Sequence, residues 1–90
     1  MSFPIPVCTA CGRAAFPPRA LCPSCGRRSW ADAAAEAGRV EEVTERAGVH
    51  IASVRTDLGP VVVARVAEAT APGDMVRLDA DGGVPVGRRE

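Results

Sequence analysis

Four cysteines carry the only clustered chemistry in this chain. They fall as two Cys-x-x-Cys-Gly pairs, Cys8-Thr-Ala-Cys11-Gly12 and Cys22-Pro-Ser-Cys25-Gly26, with ten residues between the pairs. A two-residue spacer lets both thiolates of a pair turn toward one point, while backbone N–H groups of the turn donate to the sulfurs. The glycine that follows supplies a turn position where a Cβ would clash. Two such knuckles facing each other make a closed tetrahedral S₄ site, which suits Zn²⁺ first and iron second. Two disulfides are the alternative, and they need an oxidising compartment. The start Met-Ser-Phe-Pro-Ile-Pro-Val has no basic segment followed by an apolar stretch long enough for export, so a cytoplasmic chain is expected. A thioredoxin-like redox pair normally uses one Cys-x-x-Cys, not two. The expectation is a structural metal held by Cys8, Cys11, Cys22 and Cys25, zinc before iron.

Little else in the chain could do chemistry. The one histidine, His50, falls in a β-like run, and the hydroxyls are a few Ser and Thr with no nucleophile elbow or Ser/His/Asp grouping. A closed Cys₄ site has no open position for substrate or water. No catalytic residue is therefore expected, and the chain is read as inactive alone. Charge is uneven although the net is zero. Through Trp30 the chain carries Arg13, Arg19, Arg27 and Arg28 and no acidic side chain, whereas from Ala31 onward seven Arg stand against eleven Asp and Glu. The basic end either meets an anionic ligand or acidic partner face, or offsets the roughly −2 charge of a zinc tetrathiolate. Single-strand nucleic-acid binding needs stacking aromatics in a positive groove. Here Phe3, Phe16 and Trp30 all lie at or before residue 30 and the rest is net acidic, which disfavours that partner. No apolar run approaches a membrane span.

The elements that must position the cysteines follow from pattern. At 90 residues, with an apolar share made mostly of Ala and Val, the core should be thin and in need of a metal staple. Residues 1–30 read as the metal ribbon: Pro4 and Pro6 favour an extended arm, and Pro17-Pro18 forbids a helix between the knuckles. Phe16 is expected to pack over the metal module, and Trp30 where the two halves meet. Residues 31–37 read as a linker or a short Ala-rich helix closed by Gly38. Residues 38–90 read as a minimal barrel. Val40 and Val43 suit helix or strand. The runs Val49–Thr56 and Val61–Val66 bracket Asp57-Leu-Gly-Pro60 as a hairpin, and Met75–Leu78 and Val84–Val86 supply further strands. Pro85 marks the last as an edge. The fold class is small β, a rubredoxin-like zinc ribbon followed by a five-stranded OB-like antiparallel barrel.

The cysteine pairs, Phe16-Pro17-Pro18-Arg19, Trp30 and the strand from Gly38-Arg39 together resemble the DUF35 family of zinc-ribbon/OB-fold proteins. The segments 52–66 and 72–78 are similar to its short members, so the resemblance spans essentially the whole chain. Where the usual Gly-x-Gly opens the first barrel strand, the second glycine is Val40 here. Members are encoded beside, and form complexes with, thiolase-superfamily proteins and acyl-CoA hydratases. The resemblance implies an accessory subunit for acyl-CoA chemistry such as acyl transfer, thiolysis or retro-aldol cleavage, with a thiolase-like partner and acyl-CoA at the shared site. Arg13, Arg19, Arg27 and Arg28 are then the candidates for meeting CoA phosphates or an acidic partner patch. An independent nucleic-acid module or a rubredoxin-like electron carrier is the competing class.

Overall fold

The computed structural model describes residues 2–89, all of it strands and turns. The proline-bearing arm forms β1 (Phe3–Cys8), antiparallel to β2 (Trp30–Ala35), in register from Phe3 opposite Ala35 to Cys8 opposite Trp30. The Thr9 N–H donates to the Ser29 carbonyl at 2.9 Å, which puts the hydrogen-bonding positions of β1 at odd numbers. Pro4 and Pro6 thus fall where an N–H would point away from β2, so neither costs a ladder bond. The Pro6 carbonyl, on that far side, accepts from Ala15 N–H at 3.0 Å.

The expected linker or short helix at 31–37 is a strand for most of its length. Alanine favours a helix, but six residues cannot sustain one alone. Pairing with β1 instead buries Ala35 against the same interior as Phe3 and Ile5. Residue 36 is not slack either. Its carbonyl accepts from Leu78 N–H at 2.9 Å, its N–H points to Asp57 Oδ2 at 3.4 Å, and Asp57 N–H donates to the Ala37 carbonyl at 2.9 Å.

Beyond it lie β3 (Ala37–Arg46), β4 (Val49–Thr56), β5 (Val61–Val66), β6 (Met75–Asp81) and β7 (Val84–Arg89), closed in the order β3-β4-β5-β7-β6. All neighbours are antiparallel except β5 and β7, which run parallel through Arg65–Val86 and Val66–Gly87. This is the five-stranded Greek-key barrel of the OB architecture. Val40 and Val43 belong to a strand, and a bulge between Val40 and Glu42 bends it. Gly38 is not a helix stop but a point of close approach inside the barrel. A Cβ there would lie 2.5 Å from Val54 Cγ1 and 2.7 Å from the Arg55 carbonyl oxygen.

Strand β7 is not an edge, because the barrel closes over it. Pro85 is tolerated because pairing with β5 begins only at Val86. Among the described residues no helix fills residues 67–74; that loop is laced to β3 through Gly73 N–H to the Val40 carbonyl (2.7 Å) and Val40 N–H to the Asp74 carbonyl (2.9 Å).

The interior is thin, as its composition requires. Val40, Ala52, Val54, Val62, Ala64, Val76 and Leu78 fill the barrel, and Phe3, Ile5 and Ala35 of the β1–β2 sheet belong to the same apolar cluster. Phe16 packs against it, edge-on to Phe3 at a centroid distance of 5.5 Å. Its ring partner thus lies within the ribbon, on β1. Trp30 does the reverse of what its position suggests: it lies outside this cluster, and its indole N–H reaches the Ala20 carbonyl at 3.4 Å, within the ribbon.

Candidate metal centre

The two knuckles are copies of one device, offset by fourteen residues: Cys8-Thr-Ala-Cys-Gly-Arg13 and Cys22-Pro-Ser-Cys-Gly-Arg27. Each closes with the same two bonds. Gly12 N–H donates to the Cys8 carbonyl and Gly26 N–H to the Cys22 carbonyl, both at 2.8 Å. Cys8 N–H donates to the Arg13 carbonyl at 2.9 Å, and Cys22 N–H to the Arg27 carbonyl at 2.8 Å. Gly12 and Gly26 hold φ of 80° and 77°, the left-handed turn an L side chain resists.

The four sulfurs lie within 4.8 Å of one another, with Cys8–Cys25 and Cys11–Cys22 both at 3.6 Å. A metal–sulfur bond of about 2.3 Å places tetrahedral sulfurs about 3.8 Å apart, so the set matches a single ion. A disulfide needs sulfurs at about 2.05 Å, and all four cysteines are free thiols. Cys8 and Cys22 are buried, while Cys11 and Cys25 face solvent.

Charge on the sulfurs follows the backbone. The N–H of Cys25 holds the Cys22 thiol down to about 6, against the cost of desolvation and with help from the N–H of Ser24. Cys8 is lowered the same way, by the N–H of Cys11 first and Ala10 after desolvation. Cys11 receives the N–H of Arg13, which lowers it, yet the Cys22 sulfur, desolvation and the other two sulfurs push it up to about 11. Cys25 is raised by the same balance, with the N–H of Arg27 outweighed by desolvation and by Cys8 and Cys22. Backbone N–H groups thus favour the thiolate at Cys8 and Cys22, while neighbouring sulfurs and desolvation oppose it at Cys11 and Cys25.

Residues 2–31 match the family model for the rubredoxin-like zinc ribbon domain of ChsH2. The ribbon is similar to the ChsH2 type. An Ltp2-ChsH2(DUF35) aldolase of known structure is similar over the whole length, with a TM-score of 0.81 and 25% identity, covering 98% of this chain and 84% of that one. Among curated proteins none matches the chain in sequence. The resemblance to DUF35 zinc-ribbon/OB-fold proteins therefore holds for the ChsH2-type ribbon and for the barrel behind it.

The other expected contact residues are placed less uniformly. Arg13, Arg19, Arg27 and Arg28 are all exposed, and none pairs with a carboxylate among the described residues. Arg13 lines a shallow cleft where the first knuckle meets Leu58, Gly59 and Pro60 of the β4–β5 turn. Arg27 and Arg28 follow the second knuckle. His50 lies half-buried on β4, opposite Glu45 and Val66. Reading the cysteines alone misses Leu21, which is 47% exposed beside buried Cys22. The fourteen-residue repeat was the available signal, since it sets Leu21 equivalent to Val7.

Proposed function

We propose that this chain is a non-catalytic, zinc-stapled subunit that works beside a thiolase-superfamily enzyme on acyl-CoA substrates. The observation that carries this reading is that the ribbon and barrel together, not the ribbon alone, match a chain of an Ltp2-ChsH2(DUF35) aldolase. The closed S₄ set supports a structural ion, because four protein ligands leave no position for water or substrate. The partner's reaction would be acyl transfer, thiolysis or retro-aldol cleavage.

The test is co-expression with a thiolase-superfamily protein from the same genome. The expected result is co-elution in a fixed ratio, one zinc per copy of this chain by elemental analysis, and acyl-CoA turnover that the partner loses when purified alone. Elution as a lone chain, with partner turnover unchanged, overturns the reading. Iron in place of zinc, with a rubredoxin-like visible spectrum, would favour electron transfer instead.

A further inference from the structure

The two knuckles are equivalent in backbone but not in surroundings. In the first, Val7 bridges Ala14 across the turn, and Ala14 packs onto the shared apolar cluster. That knuckle is tied into the shared apolar cluster. In the second, the equivalents of Val7 and Ala14 are Leu21 and Arg28, and both are exposed. Because Cys22 N–H bonds to the Arg27 carbonyl, residues 27–28 run alongside residues 21–22. A bare leucine therefore sits among Arg19, Arg27 and Arg28, in a stretch where no carboxylate precedes Asp32.

We propose that the second knuckle is the docking head of the chain: Leu21 enters an apolar pocket of a protein partner, and carboxylates on the pocket rim receive Arg19, Arg27 and Arg28. This rests on the accessory-subunit reading and says which surface makes the contact. Arginine is enriched at protein interfaces, where a polar rim surrounds an apolar centre. A phosphate group is the poorer occupant for two reasons. Anion sites draw on free backbone N–H groups, and here the N–H groups of Ser24, Cys25 and Arg27 already serve the sulfurs of Cys22 and Cys25. A zinc tetrathiolate also carries about −2, which repels a phosphate brought against it. A carboxylate carries a single charge and, held on the arginine tips several ångströms from the sulfurs, meets a weaker repulsion than a more highly charged phosphate at the same place.

The experiment measures the dissociation constant between the zinc-loaded chain and the purified thiolase-superfamily protein that co-elutes with it, at two salt concentrations. Leu21→Ser should weaken binding at least tenfold, and the double variant Arg27→Glu, Arg28→Glu should weaken it at least as much and flatten the salt dependence. Val63→Ser, which alters an equally bare apolar side chain on the barrel, should leave binding within twofold. Zinc content and thermal unfolding of each variant confirm that the fold is retained, which the exposure of these side chains leads one to expect. Wild-type affinity in both docking variants overturns the docking head while leaving the accessory reading intact. Loss of affinity in Val63→Ser alone moves the interface to the barrel and also overturns it. Tight CoA binding by the isolated chain, abolished by the double arginine variant with partner affinity unchanged, assigns the arginines to phosphate and overturns it too. No binding by the wild-type chain overturns both readings together.

Discussion

Substituting Gly38 by Ala tests the packing of the barrel where it is tightest. The new methyl would meet Val54 Cγ1 at 2.5 Å, the Arg55 carbonyl oxygen at 2.7 Å and the Arg55 carbonyl carbon at 3.2 Å. Non-bonded carbons are comfortable at about 3.5–4.0 Å. Strands β3 and β4 must therefore separate by roughly 1 Å, and the obstacle is partly backbone that no rotamer change can remove. Overpacking of this kind costs about 1–3 kcal/mol or more. The entropy lost from the unfolded chain returns only about 0.4–1 kcal/mol. A net loss of about 2 kcal/mol lowers the Tm of a domain this small by roughly 8–16 °C. The comparison is Gly87→Ala, whose methyl meets only side-chain atoms, closest at 3.1 Å on Val76 Cγ2 and 3.2 Å on Val66 Cγ1. Those can give way, so the cost should stay within about 1 kcal/mol. The assay is thermal unfolding of zinc-loaded protein under reducing conditions, followed by circular dichroism. Equal melting temperatures for Gly38→Ala and wild type, or a larger drop for Gly87→Ala, would refute the close approach.

Two further expectations concern the core and the metal. Ile5→Ala, at a fully buried position of the ribbon sheet, should cost about 2–4 kcal/mol and lower zinc retention and barrel unfolding in one shared transition; two separate transitions would contradict a common core. Metal loading should become tighter as pH rises through neutrality. Cys11, held up to about 11, and the raised Cys25 keep their protons in the metal-free chain and release them on loading, whereas Cys22, near 6, is already mostly thiolate. Competition with a chelator at pH 6.5 and 7.5 should show affinity rising by at least about tenfold, and a flat response would refute the protonation pattern.

The metal set was legible because its signal is local: a two-residue spacer and a following glycine dictate a knuckle wherever they occur. The barrel strands were legible from β-branched runs and turn residues, as at Asp57–Pro60. What escaped depends on partners distant in sequence. The segment Trp30–Ala35 carries helix-favouring alanines, and only the arm at Phe3–Cys8 makes it a strand. Pro85 signals an edge by its own chemistry, but a parallel neighbour that starts one residue later makes it harmless. Gly38 looks like a helix stop until Val54 and Arg55 are brought against it. Leu21 reads as one more apolar residue beside a cysteine until its counterpart Val7 proves half-buried and bridged to Ala14.

The apolar cluster that runs from Phe3 and Ile5 through to Val62 and Leu78 has a further consequence. Cutting the chain at residue 36 would not release two modules; it would tear one seam and leave wet hydrophobic surface on both pieces. The ribbon is therefore a poor candidate for grafting onto another scaffold. Any force a bound protein applies to its tip reaches the β-barrel without a hinge to absorb it.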